Sequence, residues 1–321
     1  MVLHILTAVG FTPLVVIGVP SNVYIVWRFT FIRILEKKLL PTNMILMVLA
    51  LVNLLLLLAR AIPQYMYAMV LENLLDDAVC KLIVYSYRVC RAMSISFTSL
   101  LSCHQCTLIA PVNKLWGFLK QKISQNMLII IFVILIINLV LYSSSLVYAQ
   151  AKKNFTNTPY TLHMITCHTD FLTYASFFIN GTLLAIKDFL LVGLMTFASS
   201  YMVNVLLHHQ QVVKSIRSSD NSQGKSKEYK ASRAVILLVV LYVMLFGLDN
   251  FMWLYSTFHV YPDLNNARII LACSYSALSP IVIIATNPKL YLINCSHIKN
   301  LMGTNHREYS DKNTCVSYIS N

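Results

Sequence analysis

Residues 123–151 read ISQNMLIIIFVILIINLVLYSSSLVYAQA, a run of 29 positions without Asp, Glu, Lys or Arg. A bilayer core of about 30 Å is crossed by about 20 helical residues. The run is long enough, and nothing in it needs water. Backbone groups in lipid must bond within their own segment, so the run is expected to be an α-helix. Outward from it, charge-free stretches recur at 1–27, 39–59, 92–113, 189–213, 234–248 and 269–288. Some reach full length only when one or two charges are admitted at or inside their outer ends. Seven spans are predicted, near 5–27, 42–68, 80–108, 126–149, 178–207, 234–258 and 268–292. The fold class is an all-α membrane protein. A seven-helix bundle occupies 1–293, and a tail occupies 294–321. The strand alternation of a membrane barrel is absent.

Composition agrees. Hydrophobic residues make up 57% and charged residues 12%, with mean hydropathy +0.66. A soluble chain carries about 25% charged residues, so 36.5 kDa of this sequence could not be wetted as a soluble domain. The net charge of +13 does not imply a nucleic-acid partner, because it is set between apolar runs. It reads instead as basic cytoplasmic loops and a membrane-lipid partner.

Counting those loops orients the chain. One set carries Arg28, Arg33, Lys37, Lys38, Lys114, Lys120 and Lys122, then six cations from Lys214 to Arg233, then Lys289, Lys299, Arg307 and Lys312. The opposite set has only Lys152, Lys153 and Arg268. Seventeen against three places the N-terminus outside and the C-terminus in the cytosol. Residues 1–27 lack a basic n-region and an A-x-A site, so they read as a first helix rather than a cleaved signal.

The outer loops then face an oxidising compartment. Of eight cysteines, only Cys80 and Cys167 fall there, and they are expected to pair. Cys90, Cys103, Cys106 and Cys273 lie within spans and read as small core residues. Asn154-Phe155-Thr156 is a sequon on the second outer loop, a glycosylation site by position. Asn180-Gly181-Thr182 is a sequon too, but it falls at or inside the fifth helix, beyond the transferase.

No catalytic arrangement is present: no H-E-x-x-H, no G-x-S-x-G, no P-loop and no phosphate-binding glycine fingerprint. Neither a cofactor nor a metal is called for. His208-His209 is an adjacent pair, which does not share a helical face, and reads as a solvated helix end.

Charges inside spans are costly and must face protein or a wet cavity. Arg88 and Arg91 lie eight and eleven residues past Cys80, about 12 and 16 Å below the outer end of helix 3. Their spacing places them on one face, with Tyr87 alongside. Arg60 is near the outer end of helix 2. Lys187 and Asp188 are about ten residues into helix 5. Asp249 lies in the outer half of helix 6, and Trp253 is one turn beyond it. Two readings stay open here. Either the two acids neutralise two of the four cations internally, or the charges hold a ligand. The formal surplus of two positive charges favours an anionic guest, a small organic acid.

The wording of the helices resembles a known family. Cys80-Lys81-Leu82-Ile83-Val84-Tyr85-Ser86-Tyr87-Arg88-Val89-Cys90-Arg91-Ala92-Met93-Ser94-Ile95-Ser96 resembles the third helix of vomeronasal type-1 receptors, which typically read C-K-x-x-x-Y-x-x-R-V-x-R-x-x-S-I. In helix 2, Leu49-Ala50-Leu51-Val52-Asn53 leads to Arg60-Ala61-Ile62-Pro63-Gln64. Helix 5 carries Lys187-Asp188, Val192-Gly193-Leu194-Met195 and Ala198-Ser199-Ser200-Tyr201-Met202-Val203. Arg233-Ala234 opens helix 6, and Ser279-Pro280-Ile281-Val282 sits in helix 7. The resemblance covers roughly residues 18–290. Two departures suggest an outlying branch, similar to the fish olfactory receptors related to this family. Lys230-Ala231-Ser232 stands where the family has Pro-Glu. Asn287-Pro288-Lys289-Leu290-Tyr291 has the N-P-x-x-Y spacing of rhodopsin-like receptors.

The resemblance implies a G-protein-coupled chemosensory receptor of the plasma membrane of sensory neurons. It would bind an odorant or pheromone in the outer half and couple to an inhibitory-class heterotrimeric G protein. Amine receptors of the wider class carry an Asp on helix 3 where Tyr87 stands. Rhodopsin-like receptors also carry an acidic-Arg-Tyr triplet where this chain has His104-Gln105-Cys106. The inner-face candidates are His104, Gln105, Arg217, Arg233, Asn287 and Tyr291. Cys295, just past helix 7, is a candidate for palmitoylation. The competing readings are a bitter-taste-type receptor, whose helix 3 and helix 5 words fit less well, and a small-solute transporter. A transporter would typically show internal repeats and broken helices, and no repeat is seen between halves.

Overall fold

The computed structural model describes residues 2–37, 39–68, 76–110, 114–151, 161–163, 167–170, 173–215, 223–258, 262–287 and 290. Among these residues are nine helical segments and three short strands. The long helices are α1 (Val2–Glu36), α2 (Pro41–Ala68), α3 (Asp77–Ile109), α7 (Tyr174–Ser215), α8 (Gln223–Phe258) and α9 (Pro262–Thr286). Shorter ones are α4 (Lys114–Gln125), α5 (Met127–Leu141) and α6 (Ser144–Tyr148). The chain is a multi-pass membrane protein, with six helical stretches among the described residues long and apolar enough to cross a bilayer.

The long helix absent from those six is α3, and its packing explains why. It touches α2, α5, α6, α7 and α8 and is continuously buried from Ala92 to Ser99. Protein rather than lipid surrounds it, so Ser, Thr, Gln and Arg are tolerated there. The reverse holds for α5, which is apolar nearly throughout yet buries only Met127 and Asn138. Hydropathy thus reports which helices face lipid rather than which helices belong to the bundle.

Several expected boundaries shift for local reasons. The fourth span divides: α5 gives way to a turn at Tyr142 and Ser143, followed by the short α6. The Ser143-Ser144-Ser145 run supplies the break, since serine side chains compete for nearby backbone groups. Ser143 Oγ donates to the Val140 carbonyl at 2.8 Å. The last span stops at Thr286, earlier than 292, because a residue before proline disfavours helical geometry. Lys37, at φ 52°, closes α1 in the left-handed conformation. The loop helix α4 was not expected from hydropathy, because its apolar residues are interrupted by Lys114, Lys120 and Lys122.

The small sheet is also a departure from an all-helical expectation. β1 (Ala149–Ala151), β2 (Thr161–His163) and β3 (Cys167–Asp170) form an antiparallel sheet in the order β1-β3-β2. The register pairs Ala151 with Cys167 and His163 with His168. Strands of three or four residues are too short for alternation to show in sequence. The expected disulfide is present. Cys80 of α3 bonds Cys167 of β3, with Cα atoms 5.8 Å apart, inside the reach of such a bridge.

Helices in lipid gain little from hydrophobic burial against each other, so close packing and interhelical hydrogen bonds carry the association. Both are visible. At Gly18 an added Cβ would lie 2.9 Å from the Ala277 Cβ and 2.8 Å from a Leu57 methyl, so the glycine lets α1 approach α2 and α9. At mid-bundle the fully buried Asn53 of α2 joins three elements. Its Nδ2 donates to Ser279 Oγ at 2.9 Å. Its Oδ1 accepts from Ser94 at 2.7 Å and from Ser276 at 3.1 Å. Asn22 of α1 donates to the Ser276 carbonyl at 2.9 Å.

Candidate ligand site

The site is built on the half of α3 nearest the disulfide. Tyr87, Arg88, Arg91 and Ser94 leave that helix within two turns. Arg91 reaches α8, where its Nη2 donates to Asp249 Oδ2 at 2.7 Å. Its Nη1 donates to the Tyr87 hydroxyl at 3.4 Å. The guanidinium of Arg60, from α2, stands 5.0 Å from the Tyr87 ring centroid. Tyr87 is therefore engaged twice, by its face and by its hydroxyl.

Arg88 goes elsewhere. Its Nη1 donates to Ser145 Oγ of α6 at 3.2 Å, and its Nη2 to Thr169 Oγ1 of β3 at 3.4 Å. The roots of Arg88 and Arg91 are neighbours on α3, but the long side chains diverge. Arg88 ties α3 to the sheet a little more than two turns along from Cys80, supporting the same strand that the disulfide holds.

Lys187 is turned toward α5. Its Nζ donates to Asn138 Oδ1 at 3.2 Å and to the Tyr142 hydroxyl at 3.1 Å. The ammonium also lies 4.8 Å from the Tyr142 ring centroid. Its ion pair is with the adjacent Asp188, at 3.3 Å. That Asp188 oxygen has no aligned hydrogen bond, so the contact is one of charge rather than of directed bonding.

Between α2, α3, α8 and α9 lies a small, partly open cleft of about 30 Å³, well below the roughly 300–1,000 Å³ of a ligand pocket, so a guest enters only as its walls part. Arg91 and Asp249 line it, with Tyr242, Leu245 and Phe246 of α8 and Leu56 of α2. Ser94, Tyr275 and Ser276 also line it. Ser94 and Ser276 both donate to Asn53, so the cavity adjoins the mid-bundle network directly. Tyr275 bonds Thr98 of α3 at 2.8 Å and meets Tyr242 edge to face at 4.8 Å.

Of the eight ligand-contact candidates, Arg91 and Asp249 line this cavity. Arg60 and Tyr87 stack behind Arg91, while Arg88, Lys187 and Asp188 engage α5, α6, α7 or the sheet. Trp253 lies in α8, but its side chain is outside the described residues. Sequence reasoning missed Tyr242, Tyr275 and Ser94 because a polar aromatic or serine in a span carries no charge to betray it. It also counted Arg268 as a loop cation, whereas α9 begins at Pro262 and Arg268 lies inside the helix.

Residues 7–296 match the model of the vomeronasal organ pheromone receptor family. The chain belongs to that family. It is 35% identical over 277 residues to olfactory receptor class A-like protein 1 of Danio rerio, covering 85% of this chain and 87% of that one. It is 28% identical to vomeronasal type-1 receptor 3 of Homo sapiens, over 86% of this chain and 89% of that one. Members of the family are receptors, not enzymes.

The other end of this vomeronasal-family receptor holds the inner-face candidates. His104 and Gln105 are buried, with 4% and 1% exposure. His104 Nδ1 is 3.5 Å from Thr42 Oγ1, and Gln105 Nε2 donates to the same hydroxyl at 3.2 Å. Rather than facing the cytosol, the two side chains brace α3 against α2. Asn287 donates to Asn43 Oδ1 at 3.5 Å, and Arg233 is exposed on α8. Asn154, Arg217, Tyr291 and Cys295 lie outside the described residues. Asn180 is inside α7, where its side chain donates to the Ser176 carbonyl at 2.9 Å.

Proposed function

We propose that this member of the vomeronasal receptor family is a chemosensory receptor that binds a small organic acid in the cavity between α2, α3, α8 and α9. The observation that carries the reading is the Arg91–Asp249 pair, which joins α3 to α8 across the wall of that cavity. An anionic guest competes with Asp249 for Arg91, so occupancy and the α3–α8 link are coupled. A ligand shifts a conformational equilibrium only by its difference in affinity between the two states, and a pair that the guest can replace supplies such a difference.

The bundle crosses the plasma membrane of chemosensory neurons seven times over residues 1–293, α3 being the crossing that hydropathy alone overlooks. The disulfide end is extracellular and residues 294–321 are cytosolic, as the distribution of Lys and Arg argues. The signalling partner is an inhibitory-class heterotrimeric G protein. The names of the relatives, an olfactory receptor and a vomeronasal receptor, support the sensory setting.

The test expresses the full chain with a promiscuous G protein and compares carboxylic acids with their methyl esters. Acids are expected to activate at lower concentration than esters. Arg91→Gln is expected to raise the half-maximal concentration for acids by at least about tenfold at matched surface expression. Cationic agonists, or a substrate flux without signalling, would overturn the reading.

A further inference from the structure

Arg268 lies six residues inside α9. It is half-buried, and its Nε is buried without a hydrogen-bond partner among the described residues. A buried donor without an acceptor is costly, and the cost is greater for a charged group. Three other cations of this half hold partners among the described residues. Arg88 holds α6 and β3, Arg91 holds Asp249, and Lys187 holds α5 and Asp188. Arg60 lies over the Tyr87 ring.

Helical spacing places Arg268 beside the cavity rather than in its lining. Leu271 and Ala272 line it, three and four residues further along α9. Residues so spaced share a helical face, so Arg268 stands one turn, about 5.4 Å, nearer the disulfide end. Its largest charge interaction is attraction to Asp249, opposed by Arg91 and Arg60. Asp249 is committed to Arg91 at 2.7 Å, and one carboxylate does not neutralise both arginines. Arg268 therefore adds to the positive surplus already carried by Arg60, Arg88, Arg91 and Lys187 against Asp188 and Asp249.

We propose that Arg268 is the residue at the cavity mouth that recognises the ligand's anionic group, a carboxylate received between Arg268 and Arg91. This rests on the organic-acid reading above and deepens it. A guanidinium offers paired, parallel N–H donors to a carboxylate, and the guest supplies the acceptor that the Arg268 Nε lacks. The same carboxylate draws α9 toward α3 and α8. An ester carries no charge with which to make that link.

The experiment uses the full chain in cells with a promiscuous G protein, with benzoate, hexanoate, their methyl esters and benzylamine as probes. Surface expression is matched by labelling. Arg268→Gln is expected to raise the half-maximal concentration for the acids by at least about tenfold while leaving the esters within about twofold. Arg268→Lys keeps the charge but loses the fork and is expected to fall between. If Arg268→Gln does not reach the surface, Arg268→Lys decides, with a rise of about threefold or more expected for acids alone. Acids that activate the parent chain and both surface-expressed variants equally would overturn the role of Arg268 and leave the acid reading standing. An equal loss for acids and esters would also overturn it, because a packing defect does not select for charge. If neither acid activates the parent chain, or benzylamine is the better agonist, the acid reading and this inference fall together.

Discussion

The two halves of the bundle solve the same problem with different chemistry. Toward the disulfide, helices are joined by charged groups: Arg91 to Asp249, Arg88 to Ser145 and Thr169, Lys187 to Asn138 and Tyr142. From mid-bundle to the opposite end, they are joined by neutral amides and hydroxyls: Asn53 to three serines, Thr98 to Tyr275, Thr42 to Gln105. The open cleft lies at that division, lined by Arg91 and Asp249 from the charged side and by Ser94, Tyr275 and Ser276 from the neutral one. A neutral hydrogen bond survives in a dry interior at little desolvation cost, whereas an ion pair there repays its desolvation only with excellent geometry. Charges are therefore tolerated where solvent or a guest shares the work. The difference marks where the molecule is built to open.

The largest expected effect tests the anchor of the charged half. Cys80→Ser or Cys167→Ser removes a bridge that spans 87 residues of chain. Loss of such a bridge costs about 2–5 kcal/mol. Surface expression is expected to collapse, and the protein extracted in detergent is expected to melt earlier. An unchanged melting temperature would mean that Arg88 and the sheet hold the loop without the disulfide.

Next comes the neutral half. Asn53→Leu keeps the branched shape, at some added volume, but leaves Ser94, Ser276 and Ser279 without their shared partner. An unsatisfied buried polar group costs about 1–3 kcal/mol, so a loss of about 2–4 kcal/mol is expected in thermal melts. Asn53→Asp separates packing from charge, since an ionised carboxylate at a fully buried site is expected to destabilise too. If Asn53→Asp were neutral, this region would not be dry, and the contrast between the halves would fail.

The smallest effect belongs to the ion pair. Arg91 retains 32% side-chain exposure, so solvent screens it and the pair is worth less than a fully buried one. A double-mutant cycle of Arg91→Gln and Asp249→Asn is expected to give a coupling of about 1 kcal/mol in thermal melts. A coupling well above that would make the pair a structural fastener rather than one a guest can displace.

Much of this arrangement was legible in the residues. The apolar runs located the helices, because lipid imposes a length and a polarity on each crossing, but α1, α7 and α8 run eight to eleven residues past the expected ends at 27, 207 and 234, where lipid imposes neither. The disulfide followed from the side on which two cysteines emerge. The vomeronasal-type words in helices 2, 3 and 5 pointed to the family that the comparison established. The three-stranded sheet was not legible, since its pairing joins short segments whose alternation is too brief to read. Nor was α4, whose apolar positions are broken by lysines.

The sequence by itself determined where the apolar helices form and which side chains carry charge. Only the tertiary structure decided which charges meet. Arg88 and Arg91 are three residues apart on one helix, yet one joins the sheet and the other joins α8. Helical spacing sets where a side chain begins, but an arginine extends far enough to choose among partners on several helices. Those partners come from segments distant in the chain, Asp249 being 158 residues from Arg91. Arg268 makes the same point: its charge was plain in the sequence, but the α9 helix and the cavity beside it gave that charge a place.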